Sequence, residues 1–478
     1  MPTITVPHDH LPEDLTERVY DVIVLGAGPT GENVADYAVR GGLSALLVES
    51  ELVGGECSYW ACMPSKALLR PLEALSEARS LPGVREVVTG PVDAAAVLAR
   101  RDSFASGWRD EGQVRWADGA GIALVRGSGH LAGPRAVTVG EVTFTARHAV
   151  VVCTGTAASV PPVEGLAASR PWTSREGTSA SAAPPRLAVL GGGVVGVELA
   201  FAWQGLGSQV TLLERSDRVL VNQEPEVGTR ILQALRDRGV DVRTGVSARK
   251  VVRDGAVTVT LDDGSTVEAD EVLVATGRRP RTDDLGLETV GLEPGSWLEV
   301  DDTMLVRGTD WLYAAGDVNH RALLTHMGKY QARVAGTVIA ARAKGQPIGG
   351  DWTQHAATAD HRCVPQAVFS DPPVTAVGLT AAAARAQGLD VTTVSYEIGD
   401  TAGGSLFADD NPGWAQLVVS GDRLVGATFL GPGTTEMVHA ATVAIVGEVP
   451  LDRLWHAVPS YPTMSEVWLR LLDQLPHG

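Results

Sequence analysis

The chain has 478 residues, of which 44% are apolar and 20% charged, a balance that suits about three globular domains and excludes a disordered chain or a mini-protein. No uncharged apolar run reaches the ~18 residues of a membrane span. A net charge of −18 lacks the basic footprint of nucleic-acid binding, so neither a membrane nor a nucleic acid is an expected partner. The N-terminal stretch MPTITVPHDHLPEDLTERVYD carries acids and prolines where a secretory signal would carry a basic segment and an apolar core. Four cysteines are too few for a secreted disulfide framework. A cytoplasmic location is therefore expected, and cysteines at close spacing are expected to be redox-active or metal-binding.

In chain order, DVIVLGAGPTGENVA (21–35) reads as an apolar strand, a G-x-G-x-x-G turn at Gly26, Gly28 and Gly31, and the opening of a helix; the next strand, SALLVES, ends on Glu49. RLAVLGGGVVGVELA (186–200) repeats the pattern at Gly191, Gly193 and Gly196, and QVTLLER ends on Glu214. First glycine to acid is 23 residues both times. One glycine motif is weak evidence; two in strand-turn-helix context, each with its acid, point to two dinucleotide sites in which a helix N-terminus meets the pyrophosphate and the carboxylate accepts from the ribose. Downstream the halves still correspond. Alternating segments 136–146 and 256–269 read as hairpins, the second turning at Asp263-Gly264, and apolar strands then stop at Thr154-Gly155 and Thr276-Gly277.

The first half is longer by about 43 residues, and the excess holds GGECSYWACMPSKALLRP. Cys57 and Cys62 stand just before an apolar-periodic helix through Leu68, Leu69, Leu72 and Leu75, with Pro71 inside it as a possible kink. A helix N-terminus favours thiolate, so a redox role suits the pair; with no second Cys or His pair nearby, no metal site is expected. Tyr59 and Trp60 suit either an apolar platform for a planar acceptor or simple filling of space. Cys153 and Cys363 read as buried structural thiols. A Ser/Ala/Pro-rich crossing covers 169–186, and LLTHMGKYQARVAGTVIAA reads as helix.

Two glycine fingerprints, Cys-x4-Cys followed by Pro-Ser-Lys, ATGRRP and YAAGD, in that order, resemble the class I pyridine nucleotide-disulfide oxidoreductases. The resemblance spans almost the whole chain. It implies an α/β fold with two Rossmann-like dinucleotide-binding domains, for FAD and for NAD, and a C-terminal α+β dimerisation domain. Boundaries are expected at 1–170 (FAD domain with the redox-cysteine helix), 171–300 (NAD(P) domain), 301–350 (return to the FAD domain) and 351–478 (interface domain), in a homodimer. By resemblance, Cys62 lies against the flavin, Cys57 meets the acceptor, and Lys66 stands beside the flavin N5 region paired with Glu198. Gly55, Gly129, Thr154, Gly155 and Asp317 join Gly26, Gly28, Gly31, Glu49 and Lys66 around FAD, and Gly277 joins Gly191, Gly193, Gly196 and Glu214 around the nicotinamide dinucleotide. Glu214 would accept from a ribose 2′-hydroxyl and repel a 2′-phosphate, so NADH is expected over NADPH, with Arg215 and Arg218 as the residues that bear the other way.

The chain departs from the family where disulfide reductases end in His-Pro-Thr-x-x-Glu. HAVPSYPTMSEVW places Tyr461 at the histidine position, with Glu466 following. Tyrosine's reference pKa of ~10 makes it a poor base, and His456 is the nearby alternative. The C-terminal cysteine pair of mercuric reductases is absent from this sequence. The expected activity is electron transfer from NADH through FAD to a Cys57–Cys62 disulfide and on to a disulfide or other small acceptor. The alternatives are a quinone or small-oxidant reductase in which the cysteines are not obligatory, and a flavin redox sensor.

Overall fold

The computed structural model describes residues 17–475, so most of the N-terminal stretch lies outside the described residues. The chain forms two compact units, each built from three stretches. Residues up to Pro64, Asp102–Ser159 and Gly277–His361 make the first; Ser65–Arg101, Val160–Thr276 and the residues from Arg362 onward make the second.

The first unit is organised on a seven-stranded sheet. Ala123–Arg126, Ala45–Glu49, Val19–Leu25 and Val142–Val152 lie side by side in parallel, Leu312–Ala314 adds a further parallel partner to Val142–Val152, and Ala136–Val139 and Gly129–Leu131 continue antiparallel. A parallel sheet covered on both faces needs continuous apolar strands, and Val22, Ile23, Val24 and Leu25 are all at most 2% exposed. Helices Pro29–Arg40 and Thr325–Ala343 cover the same core with Val34, Ala35, Ala38, Ala332, Ala335 and Val338. They cross unusually closely. A Cβ on Gly336 would stand 2.6 Å from the Cβ of Tyr37, and one on Gly328 would stand 2.3 Å from Thr30 Oγ1.

The second unit holds three sheets. A parallel one runs Asp241–Thr244, Gln209–Glu214, Arg186–Leu190, Glu271–Val274; a three-stranded antiparallel one runs Ala248–Asp254, Ala256–Leu261, Thr266–Ala269; a five-stranded antiparallel one runs Pro365–Val368, Val374–Gly378, Arg423–Leu430, Trp414–Ser420, Thr392–Glu397. The two halves of the sequence thus repeat a parallel core with an antiparallel appendage, but they differ in one respect. In the first half the hairpin's second strand runs unbroken from Val142 to Val152, so hairpin and core strand are one element. In the second half Thr266–Ala269 and Glu271–Val274 part at Asp270, whose carboxylate takes up Arg186 through two nitrogens at 3.2 and 3.0 Å.

Helix Cys62–Arg79 begins at Cys62 itself, and Pro71 falls inside it without ending it. Proline removes the N–H that the Ala67 carbonyl would otherwise accept, and Arg100 Nη1 donates to that oxygen instead at 3.1 Å. No described helix is long and apolar enough to cross a membrane.

Candidate active site

The two glycine turns are built alike. Gly26 and Gly191 have φ of +95° and +106°, and a Cβ on them would meet the carbonyls of Cys153 and Ala275 at 2.5 and 2.6 Å. A Cβ on Gly31 would lie 1.9 Å from the Gly26 carbonyl oxygen, and on Gly196 the same distance from that of Gly191. The middle glycines, Gly28 and Gly193, stand at the N-caps of helices Pro29–Arg40 and Val194–Gly205, neither of which is capped by a side chain. Among the described residues a Cβ on Gly193 would meet nothing within 4 Å, and one on Gly28 would meet only the Gly55 Cα, at 3.8 Å. An open, uncapped helix start with its N–H groups outward is a seat for a pyrophosphate, so both turns fit a dinucleotide.

The acids follow the same duplicate plan. Glu49 accepts from the backbone N–H groups of Ala27 and Glu51 at 2.6 and 2.7 Å, and Glu214 from those of Gly192 and Ser216 at the same two distances. Each carboxylate therefore clamps its own glycine turn while lying at the edge where a ribose would sit. Burial pushes the Glu49 carboxyl up, against those two backbone bonds.

Further polar groups of the first unit gather near the strand ends. Asp317 accepts from Thr156 Oγ1 at 2.7 Å, and burial raises its pKa. Gly316 donates to Gln331 Oε1 at 2.8 Å, and Gln331 Nε2 donates to the buried Asp360 at 2.9 Å. Thr154 Oγ1 is buried without a hydrogen-bond partner, and the space around Gly155 and Gly277 is open within 4 Å. An orphan hydroxyl beside open backbone is what a cofactor's polar chain would satisfy, and Thr154, Gly155 and Asp317 fit FAD, while Gly277 stays with the residues expected around the nicotinamide dinucleotide. Gly129 has a packing reason to be glycine, because its Cβ would meet Leu25 Cδ2 and Val48 Cγ1 at 2.7 and 2.9 Å.

The cysteine loop leans on the first glycine turn. Gly55, at φ +59°, lets the short helix Gly55–Tyr59 approach until a Cβ would stand 2.7 Å from the Gly28 Cα. Cys57 and Cys62 are thiols here, and Cys62 Sγ lies 3.3 Å from Thr325 Oγ1 at the start of helix Thr325–Ala343. The hydrogen bond to Cys62, with burial behind it, holds the Cys57 pKa well above the ordinary thiol range, while Thr325 and Lys329 work the other way. Tyr59 and Trp60 are at most 4% exposed and pack with Leu52, Ala105 and Trp108. The Tyr59 hydroxyl donates to Val53 O. Of the two readings of this aromatic pair, filling of space is the one realised.

One helical turn after Cys62, Lys66 Nζ contacts Glu198 Oε2 at 2.7 Å; the other oxygen of Glu198 accepts the Phe369 N–H at 2.9 Å, and Lys66 lies over the Phe369 ring. Tyr461 is 76% exposed. Glu466 is buried and accepts from Gly403 N at 3.3 Å and Arg470 at 3.4 Å. His456 sits edge-on against Trp455. Cys153 and Cys363 are buried, and burial pushes the Cys153 thiol up to about 12.

Glu56 has a larger part than its place in the motif suggests. It accepts from Arg278 Nη2 at 2.7 Å and Arg281 Nη2 at 2.8 Å, and Arg278 also donates to the hydroxyl and carbonyl of Thr156. Glu56, Arg278, Thr156 and Asp317 form one continuous network that the motif reading does not contain. Its signal was present: an acid directly before Cys57 and three arginines in ATGRRPR.

A sequence profile described as "Pyridine nucleotide-disulphide oxidoreductase" matches residues 20–345, and its dimerisation domain matches residues 364–471. The mercuric reductase of Staphylococcus aureus is 30% identical over 94% of this chain and 81% of its own length. The glutathione reductase of Burkholderia cepacia is 31% identical over 95% of this chain and 99% of its own. Among solved structures, the HOCl-induced flavoprotein disulfide reductase RclA from Escherichia coli superposes with a TM-score of 0.81 at 24% identity, covering 96% of this chain and 100% of that one. The chain belongs to the class I pyridine nucleotide-disulfide oxidoreductases. It is an NAD(P)H-dependent flavoprotein oxidoreductase that uses FAD, with two Rossmann-like domains and the family's C-terminal dimerisation domain.

Proposed function

We propose that the protein takes electrons from NADH and passes them through the Cys57–Cys62 pair to a small disulfide. The observation that carries this reading is the pair itself: two adjacent thiols at the mouth of a helix, with Thr325 against the inner one. FAD, when bound, accepts hydride from the nicotinamide and hands on an electron pair. Gly26, Gly28, Gly31, Glu49, Gly55, Gly129, Thr154, Gly155 and Asp317 would hold it, and Lys66, paired with Glu198 at 2.7 Å, would oppose negative charge arriving on the ring. Gly191, Gly193, Gly196, Glu214 and Gly277 would hold the dinucleotide. Cys57 then attacks the acceptor disulfide and Cys62 closes on Cys57, releasing the second thiol. Overall, NADH, one proton and RSSR give NAD+ and two RSH.

NADH is favoured over NADPH because the Glu214 carboxylate, closing its strand beside the second glycine turn, would accept from a ribose 2′-hydroxyl and repel a 2′-phosphate. Arg218 is turned away to the Val221 carbonyl, which it meets at 3.0 Å. A higher kcat/KM with NADPH would overturn this preference. A homodimer suits the exposed apolar residues Val443, Val446, Trp455, Val458 and Tyr461, all inside the segment that matches the dimerisation domain. Four cysteines in 478 residues, too few for a secreted disulfide framework, suit a cytoplasmic setting.

A quinone or other small oxidant is the second reading. It is favoured by Tyr461, which puts a weak base where disulfide exchange needs one, and by Glu466, whose carboxylate is committed to Gly403 and Arg470. Cys57→Ser separates the two. Loss of disulfide reduction with retained FAD supports the dithiol route, whereas undiminished disulfide turnover overturns it. Quinone reduction that survives in the same variant assigns that acceptor to the flavin directly.

A further inference from the structure

Cys57 rides on a helix too short to hold itself in place. Gly55–Tyr59 is five residues long, and a helix of that length has no stability of its own in water, so the position of the thiol is set by what grips the segment from outside. At its C-terminal end the Tyr59 hydroxyl donates to the Val53 carbonyl at 2.9 Å, and Trp108 Nε1 donates to the Tyr59 carbonyl at 3.1 Å. At its N-terminal end Gly54 N donates to the Ala27 carbonyl at 2.8 Å. Between these holds stands Glu56, the one charged residue of the helix and the chain neighbour of Cys57.

Each oxygen of Glu56 is held by a different guanidinium, Oε2 by Arg278 Nη2 at 2.7 Å and Oε1 by Arg281 Nη2 at 2.8 Å, with 20% of the glutamate side chain exposed. Charge-assisted bonds to both oxygens fix the orientation of the carboxylate as well as its place. The two arginines converge on one residue. Arg278 donates to the hydroxyl and carbonyl of Thr156 at 2.5 and 2.8 Å, and Arg281 Nε donates to the same carbonyl at 3.2 Å. Strand Arg278–Pro280 is itself paired with Thr156–Ala158, and the Thr156 hydroxyl donates to Asp317 at 2.7 Å. Glu56 and Asp317 thus balance Arg278 and Arg281, with Glu51 farther out at 3.9 Å from Arg281. An unbroken chain of contacts runs from the neighbour of the outer thiol to an aspartate among the residues that would hold FAD.

We propose that Glu56 is a positioning residue for the outer thiol, whose two-armed grip on Arg278 and Arg281 keeps Cys57 within bonding reach of Cys62. The step that needs this is closure of the pair. Cys62 attacks the Cys57 sulfur of the mixed disulfide, the Cys57–Cys62 bond forms, the bond from Cys57 to the acceptor sulfur breaks, and the Cys62 proton leaves with the departing thiol. Holding one sulfur at the other raises its effective concentration, which favours the closed disulfide over the open dithiol. This role presupposes the Cys57–Cys62 dithiol proposed above, and it is separable from it by experiment.

The test is the midpoint at which the pair oxidises in the holoenzyme. Wild type, Glu56→Gln and Arg281→Gln are equilibrated anaerobically with graded ratios of reduced to oxidised dithiothreitol and quenched with acid, and the Cys57 and Cys62 peptides are scored as thiol or disulfide by mass spectrometry. Glu56→Gln should weaken the disulfide about tenfold in its equilibrium constant, a midpoint about 30 mV more positive. Arg281→Gln leaves the acid one arm and should shift the constant about threefold in the same direction; adding it to Glu56→Gln should change little further, because that arm has nothing left to hold. An unchanged or more negative midpoint in Glu56→Gln overturns the proposal, as does a lowered urea midpoint of unfolding with the thiol midpoint unmoved, which is what a merely structural ion pair gives. If Glu56→Gln is recovered without FAD, Arg281→Gln decides on the same scale. A wild-type pair that stays reduced at every ratio removes the dithiol reading together with this role, whereas a wild-type pair that oxidises reversibly beside an unmoved variant removes this role alone.

Discussion

Replacing Lys66 with methionine should destabilise the protein more than replacing Glu198 with glutamine, although both changes break the same ion pair. The contact is 2.7 Å, with 32% of the lysine side chain exposed and only 5% of the glutamate. Without the lysine charge, a nearly dry carboxylate keeps a single donor, the Phe369 N–H at 2.9 Å. Stranding a buried charge costs ~3–5 kcal/mol, and the remaining N–H with the partial wetting of the site brings this to about 2–3 kcal/mol. Glutamine at 198 is neutral, keeps the Phe369 bond and leaves a lysine able to reach water, for about 1 kcal/mol. The double variant should recover toward the glutamine value, because the unpaired charge is gone. Urea unfolding of the three variants, with flavin content followed in parallel, measures all three terms. Equal losses in the two single variants, or a double variant worse than Lys66→Met, would refute the assignment of the cost to the buried carboxylate.

Gly31→Ala and Gly196→Ala should fail in different ways: each Cβ would lie 1.9 Å from a carbonyl oxygen of its own turn, so the first should be purified with little FAD, while the second keeps FAD and shows at least a roughly tenfold rise in the KM for NADH. Tyr461→His should raise disulfide turnover and bring in a pH dependence near the histidine range of ~6.5, with no change in FAD content, in a pH-rate profile. Asp360, raised by burial to about 6 from 3.8, carries the sign of an elevated carboxyl: its contribution to stability is complete below about pH 4 and is lost as pH rises through about 6. The span is at most about 3 kcal/mol. Asp360→Asn should remove that slope from the difference in unfolding midpoints between pH 4 and 7, and a slope unchanged from wild type would count against it.

The duplicated dinucleotide fold was legible because its constraints are local and severe. A positive φ at Gly26 and Gly191 and a carbonyl at 1.9 Å from any Cβ at Gly31 and Gly196 leave no residue but glycine. The parallel strands, buried on both faces, spell themselves as VIVL and LAVL. The correspondence of the two halves weakened where one residue can alter connectivity: Asp270 separates two strands that in the first half are a single one. Pro71 lies inside the helix without ending it, and Arg100, some thirty residues on in the chain, donates to the carbonyl that the proline leaves without its N–H.

The candidate site was less legible for the same physical reason. Glu49 and Glu214 were found by their spacing, yet their direct partners are backbone N–H groups of the glycine turns, which no spacing specifies. Glu56 draws its meaning from Arg278 and Arg281, more than 200 positions away, so it reads in isolation as an ordinary helix glutamate. A carboxylate buried beside a cation acts through the difference between two desolvated charges, and that difference depends on which helices meet and how closely. Gly328 and Gly336 set that closeness here. Gly336→Ala would set its Cβ 2.6 Å from that of Tyr37 and should therefore lower the urea midpoint of unfolding together with the FAD content; an unchanged midpoint would count against this helix contact as what sets the spacing.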